Sequence, residues 1–141
     1  MNKEKVNVAL IYDFDGTLAP GNMQEYDLIP AVGKSNAEFW EESNRIAETQ
    51  DADPILTYMS MMIEGARQKG LSLHREGFRR AGKNIQFFEG VKEWFGRINE
   101  YGDQRGLNVQ HYINSSGIKE IIEGTDIAGE FKNIYACSFL Y

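Results

Sequence analysis

Three short apolar runs divide the chain into segments with the character of β-strands. They are Val6–Tyr12, residues 109–114 and residues 133–139. Each run is rich in β-branched or aromatic side chains and is bounded by glycine or polar residues, which is typical of strands buried within a sheet. The sequence therefore predicts three buried strands, of which the first is far from the other two along the chain.

Helical patterns fill the intervals between these strands. A capping-box spacing at Ser35 predicts a helix over residues 36–49. The pair Asp53-Pro54 is typical of a helix start, and the helix that follows is predicted to end near Gly70. Further helices are predicted over residues 73–81, from residue 89 onward and over residues 118–123.

The order of these elements is typical of an α/β protein with a parallel sheet. Residues 19–88 are mostly helical and are too long for a plain crossover between two strands. We refer to residues 19–88 as the insertion. We expect the insertion to form a small helical domain at the edge of the sheet, and residues 1–18 and 89–141 to form the α/β core domain.

Composition and charge narrow the functional classes. The 141 residues include 15 Lys and Arg against 21 Asp and Glu, a net charge of −6, which disfavours a dedicated nucleic-acid binder. The single cysteine, Cys137, excludes an internal disulfide and fits a reducing compartment. No apolar run approaches the roughly 18–20 residues of a membrane span. We therefore expect a cytoplasmic protein that binds neither nucleic acid nor membrane.

The string Asp13-Phe14-Asp15-Gly16-Thr17 follows the first strand directly. Side chains two residues apart on a strand point the same way, so the two aspartates are expected to converge where parallel sheets bind ligands. Gly16 permits a sharp exit from the strand. Two close carboxylates repel unless a proton or cation lies between them, and their hard oxygens suit Mg²⁺. Each aspartate, taken singly, is also a common turn former.

A second candidate segment, Ser115-Ser116-Gly117, follows the second strand and precedes a short helix. Small hydroxyl residues let a phosphate approach backbone N–H groups and a helix N-terminus. Serine is also a frequent helix N-cap without any ligand. The sequence therefore predicts a serine turn that either binds phosphate or only caps the helix.

The D-x-D-G-T string after a hydrophobic strand resembles the first motif of the haloacid dehalogenase-like superfamily. The resemblance implies a Rossmannoid parallel sheet, here partial with about three strands, and an inserted helical cap. It implies that Asp13 is the nucleophile and that Asp15 is the general acid and then the general base. It also implies that Mg²⁺ is held by the Asp13 carboxylate and the Asp15 backbone carbonyl.

The same resemblance assigns the phosphate-binding residues. Thr17 would be a supporting hydroxyl next to Gly16, and Ser115 matches the second motif of the superfamily, with Ser116 as the fallback. The amides of Ser116 and Gly117 would assist at the phosphoryl oxygens.

The implied activity is that of a Mg²⁺-dependent phosphohydrolase acting on a small phosphorylated metabolite. An acid at the second aspartate position is typical of phosphatases and phosphomutases and argues against dehalogenation. A phosphomutase and a non-catalytic binding module remain the alternatives.

Two later motifs of the superfamily find no match. Lys119 and Lys132 do not end a strand in the required order, and Asp126 and Glu130 precede the third strand. We therefore expect an N-terminal fragment with little activity alone. In the superfamily the first strand is central, so we also expect its free edge here to cause self-association.

Overall fold

A computed structural model describes residues 5–141, and residues 1–4 of the predicted core domain lie outside this range. Three parallel strands form one sheet in the order β1-β2-β3. The strands are β1 (Val6–Tyr12), β2 (Leu107–Ile118) and β3 (Phe131–Cys137). The predicted α/β class with a three-stranded parallel sheet is confirmed.

Six helices accompany the sheet within the described range. Four lie in the insertion and two follow it: α1 (Leu28–Ala31), α2 (Asn36–Gln50), α3 (Pro54–Gln68), α4 (Arg75–Gly82), α5 (Val91–Asp103) and α6 (Lys119–Glu123). The described range also contains two 3₁₀ turns, Met23–Glu25 and Ala128–Glu130. Among residues 5–141, no helix combines the length and hydrophobicity that crossing a bilayer requires.

Local capping explains where the two long helices of the insertion begin. The Ser35 hydroxyl accepts from the Glu38 amide while the Glu38 carboxylate accepts from the Ser35 amide, so both halves of the capping box are present. The Asp53 carboxylate accepts from the first amides of α3, next to proline at the first helical position. Both predicted helix starts are confirmed.

One face of the sheet is covered by α5. Phe95 is fully buried, and its ring contacts one aromatic side chain from each strand, namely Tyr12, His111 and Phe131. The opposite face presents Ile11 and Tyr135 to solvent, with 68% and 58% of their surfaces exposed. These two side chains line an open groove of about 650 Å³ across the three strands.

The prediction that β1 is a buried strand is wrong. In the described sheet β1 is hydrogen-bonded to β2 on one side, and its residues are exposed or half-buried, with Val6 64% exposed. An apolar sequence shows that a strand can be buried but not that it is. In the described sheet β1 lies at an edge, and no helix covers one of its faces.

The second strand is longer than predicted and contains the serine segment, so the predicted turn is also wrong. Pairing with β3 runs to Asn114↔Tyr135 and resumes at Ile118↔Cys137, which leaves residues 115–117 as a bulge within β2. The third strand covers Phe131–Cys137 rather than residues 133–139.

The insertion and the sheet share one hydrophobic cluster, to which the insertion contributes Phe39, Met62 and Phe78. Helix α4 of the insertion also packs closely on α6. A Cβ built on Gly82 would overlap the Ile121 carbonyl, so the two helices approach backbone to backbone. This contact attaches the insertion to the carboxyl end of the sheet.

Candidate active site

The two aspartates lie immediately beyond β1, at the carboxyl end of the parallel sheet. Phe14, between them, is fully buried in the core, so strand-like alternation directs Asp13 and Asp15 away from the core together. Asp13 is exposed, and its carboxylate accepts from the Phe14 amide at 2.7 Å. Asp15 is half-buried and accepts from the Met23 amide at 2.9 Å.

A tight turn follows the carboxylate pair. Gly16 has a φ of 75°, a left-handed conformation that glycine adopts without steric cost, and its amide donates to the Ala19 carbonyl at 2.7 Å. The Leu18 amide donates back to Phe14 at 2.9 Å. Gly16 and Thr17 therefore sit at the exposed tip of the turn, next to the aspartates.

The electrostatics of Asp15 distinguish it from an ordinary surface aspartate. The pKa of Asp15 is raised to about 6, chiefly by burial and also by the negative charges of Asp13 and Glu25, while the hydrogen bond from the Met23 amide opposes the rise. A carboxyl group with this pKa exchanges its proton near neutral pH. This property suits a general acid and base.

The bulge at residues 115–117 is held by side chains of the insertion as well as by its own serine. The Ser115 hydroxyl oxygen accepts from the Gly117 amide at 3.0 Å, and the Ser116 carbonyl accepts from the Tyr58 hydroxyl at 2.9 Å. The Ile118 amide donates to the sulfur of Met23 at 3.2 Å.

Met23 joins the two halves of the site, because its amide donates to Asp15 and its sulfur accepts from the amide of Ile118, the residue that follows the bulge. The structure thus brings the aspartate motif and residues 115–117 together. The sequence predicted neither Met23 nor Tyr58 as a contributor to the site. Tyr58 recurs at helical spacing among apolar residues, a pattern that indicates packing, so its hydroxyl contact has no sequence signal.

The excluded lysines and acids also have defined places. Lys132 donates to Gln110 at 3.0 Å, and Asp126 accepts from Lys92 at 2.8 Å. Both contacts lie at exposed positions.

Few protein groups near the aspartates could hold a metal ion. Within residues 5–141, no group of three or more His, Cys, Asp or Glu side chains is arranged to hold one. Asp13 and Asp15 supply two carboxylates whose mutual repulsion a cation would relieve. A site with so few protein ligands fits Mg²⁺, which keeps several waters and shares ligands with a substrate phosphate.

Comparison with known proteins agrees with this architecture. No protein-family model matches the sequence. A phosphoserine phosphohydrolase-like protein from Francisella tularensis superposes with a TM-score of 0.60 at 21% identity, covering 97% of this chain and 60% of that one. This chain therefore shares the α/β fold of that protein.

Two further proteins are similar to this chain. A predicted phosphoglycolate phosphatase from Haemophilus somnus gives a TM-score of 0.39 at 14% identity, covering 94% of this chain and 62% of that one. An uncharacterized protein of Borreliella burgdorferi is 31% identical over 150 residues, covering 99% of this chain and 52% of that protein. The chain therefore spans about half the length of this relative.

Proposed function

We propose that the chain carries the catalytic aspartates of a Mg²⁺-dependent phosphohydrolase that acts on a small phosphomonoester through an aspartyl-phosphate. One observation carries this proposal: Asp15, with a pKa of about 6, lies beside Asp13 at the end of β1 and is joined through Met23 to the bulge in the neighbouring strand. This arrangement supports Asp13 as the nucleophile, Asp15 as the proton donor and the bulge as the anion-binding segment.

The proposed reaction has two steps. In the first, a carboxylate oxygen of Asp13 attacks phosphorus, the bond from phosphorus to the ester oxygen breaks, and Asp15 gives its proton to the leaving alkoxide. In the second, Asp15 takes a proton from water, the water oxygen attacks phosphorus, and phosphate leaves as the Asp13 carboxylate is restored. Asp13 and the Asp15 carbonyl would hold Mg²⁺, which when bound would neutralise the negative charge of the phosphoryl group.

The phosphoryl oxygens would be bound by the bulge. Since the Ser115 hydroxyl oxygen accepts from Gly117, its own O–H points away from that amide and is available to donate. The Ser116 amide and the Thr17 hydroxyl would complete the set of donors. The Gly117 amide is already used by Ser115, so it contributes by orienting that hydroxyl.

We propose that the insertion acts as a cap that excludes water and selects the substrate. Tyr26 supports this role, because its hydroxyl donates to the Pro20 carbonyl at 2.8 Å and lies 3.4 Å from the Gln86 carbonyl. Pro20 and Gln86 lie near the two ends of the insertion, so this contact holds those ends close together.

The first prediction concerns the covalent intermediate. The chain, incubated with acetyl phosphate and MgCl₂, is expected to form an acyl-phosphate on Asp13, which borohydride reduction and peptide mass mapping would locate. Exposed aspartates such as Asp103 serve as internal controls and are expected to stay unlabelled. Labelling that persists without Mg²⁺, that falls on other aspartates, or that does not occur would contradict the proposal.

We also propose that the β1 edge pairs with a second copy of this chain. Within residues 5–141 only β2 pairs with β1, so the backbone groups at the other edge of β1 and the exposed Ile11 side chain form a template for strand pairing. Ile11→Lys places a charge on this edge and is expected to give a monomer in sedimentation, where the wild type gives a larger species. Ile63→Lys, at a 52% exposed position on α3, is the matched control and is expected to sediment like the wild type. A monomeric wild type would overturn this proposal.

A further inference from the structure

The bulge in β2 is the part of the candidate site that β3 does not fix by hydrogen bonds of the sheet. In the described ladder, pairing with β3 stops at Asn114 and resumes at Ile118. The backbone groups of residues 115–117 therefore need partners other than β3. Ser116 is exposed and Gly117 is buried, so the need is strongest at the Gly117 amide, because an unpaired buried peptide group is costly.

The insertion supplies a hydrogen-bond partner for the Ser116 carbonyl of the bulge. Tyr58 of α3 is 5% exposed and packs edge-on against Trp40, with ring centroids 5.7 Å apart. Its hydroxyl donates to the Ser116 carbonyl at 2.9 Å. Burial raises the pKa of Tyr58 well above its usual value, so the hydroxyl keeps its proton and remains a donor.

A single peptide unit connects the Tyr58 hydrogen bond to the orientation of the Ser115 hydroxyl. The Ser116 carbonyl and the Gly117 amide belong to the same planar peptide unit, so fixing the direction of one fixes the other. With the carbonyl turned toward Tyr58, the amide is turned toward the Ser115 hydroxyl oxygen, which it reaches at 3.0 Å. Rotation of this peptide would break both hydrogen bonds together.

We propose that Tyr58 is a positioning residue for phosphate binding: by holding the Ser116 carbonyl it orients, through the Gly117 amide, the hydroxyl of Ser115. The inference rests on the proposed function, in which Ser115 binds a phosphoryl oxygen. It follows that docking of α3 assembles the anion-binding segment. Met23 limits the space on the other side, because a Cβ on Gly117 would lie 2.7 Å from the Met23 sulfur.

The test is binding of inorganic phosphate in MgCl₂ to Tyr58→Phe, which removes one hydroxyl and keeps the ring. Loss of one hydrogen bond of ordinary strength predicts roughly 3- to 10-fold weaker phosphate binding by calorimetry. Mg²⁺ alone should bind as in the wild type, since Asp13 and the Asp15 carbonyl would hold it. Tyr101→Phe, at a 53% exposed position on α5, is the matched control and should change neither affinity.

A double-mutant cycle separates positioning from general support. Ser115→Ala should weaken phosphate binding by itself, and adding Tyr58→Phe should cause little further loss, because Tyr58 acts through Ser115. Faster hydrogen exchange of the Gly117 amide in folded Tyr58→Phe is the second expected readout.

The failures are distinguishable. Three results would overturn only the positioning role of Tyr58. They are additive losses of phosphate affinity in the double mutant, an equal loss of Mg²⁺ affinity in Tyr58→Phe, and phosphate binding by Tyr58→Phe at wild-type strength. A wild type that binds no phosphate with Mg²⁺ would overturn the proposed function, and the positioning role with it.

Discussion

Asp15→Asn is expected to make the protein more stable at pH 8 by about 3 kcal/mol while it slows the proposed reaction. In the folded chain the pKa of Asp15 is raised from 3.8 to about 6, chiefly by burial. This rise corresponds to about 3 kcal/mol of folding free energy once the carboxyl group is ionised. Asparagine carries no charge and keeps an oxygen that accepts from the Met23 amide, so it removes the cost and keeps the contact.

The sign of the pH dependence follows from the direction of the shift. The folded state binds the Asp15 proton more tightly than the unfolded state, so stability falls as the pH rises from about 4 to about 6 and then stays low. Urea denaturation should therefore show a gain for Asp15→Asn at pH 8 and almost none at pH 4. Equal stability of the variant and the wild type at pH 8 would contradict this account.

Asp126→Asn is the matched control for the stability effect. The pKa of Asp126 is lowered, first by the hydrogen bond from Lys92 and then by the charge of that lysine. Its ionised form is favoured in the folded state, so replacement should lower stability slightly at pH 8, the opposite direction to Asp15→Asn.

The chemical effect of Asp15→Asn has the opposite sign to its effect on stability. Without a group that accepts a proton from water, hydrolysis of the aspartyl-phosphate should slow by roughly 10²–10⁴-fold, measured as the lifetime of the trapped intermediate. A carboxylate that costs stability and speeds a reaction is what a functional site is expected to contain. An unchanged lifetime would remove Asp15 from the proposed mechanism.

Local signals in the sequence were sufficient for the elements that are fixed locally. The bounds of β1 follow from its apolar run, and α2 and α3 begin at the capping residues Ser35 and Asp53. Placement of Asp13 and Asp15 at the carboxyl end of a parallel strand follows from their position directly after β1, together with the α/β order of elements.

Features that depend on distant partners could not be predicted in this way. A free edge on β1 is expected from the family resemblance, but the exposure of one face of β1 depends on which face of the sheet α5 covers. The continuation of β2 through residues 115–117 depends on Tyr58 and Met23, which lie 58 and 95 residues from their backbone partners along the chain. Serine and glycine in that segment indicate a turn by propensity, and tertiary contacts override this preference.

Gly124→Ala is expected to destabilise the fold by about 3 kcal/mol, because it enlarges a residue at the closest approach between the insertion and the core. A Cβ on Gly124 would overlap the Arg79 carbonyl of α4, and backbone on both sides leaves little room to relax. Helix α4 would have to move away from α6, which would also strain the ion pair between Arg79 and Glu123 at 3.0 Å. Chemical denaturation of the purified variant measures the loss.

Gly129→Ala is the matched control, since a Cβ there meets no described atom within 4 Å, and it should leave stability nearly unchanged. The two variants also test how the insertion is connected to the site. If α3 and α4 dock together, Gly124→Ala should weaken phosphate binding in the folded fraction, because Tyr58 then holds the Ser116 carbonyl less well. If Gly124→Ala is as stable as the wild type, α4 and α6 separate at little cost in free energy. If the variant loses much stability but keeps its phosphate affinity, the packing of α4 and the Tyr58 contact are independent.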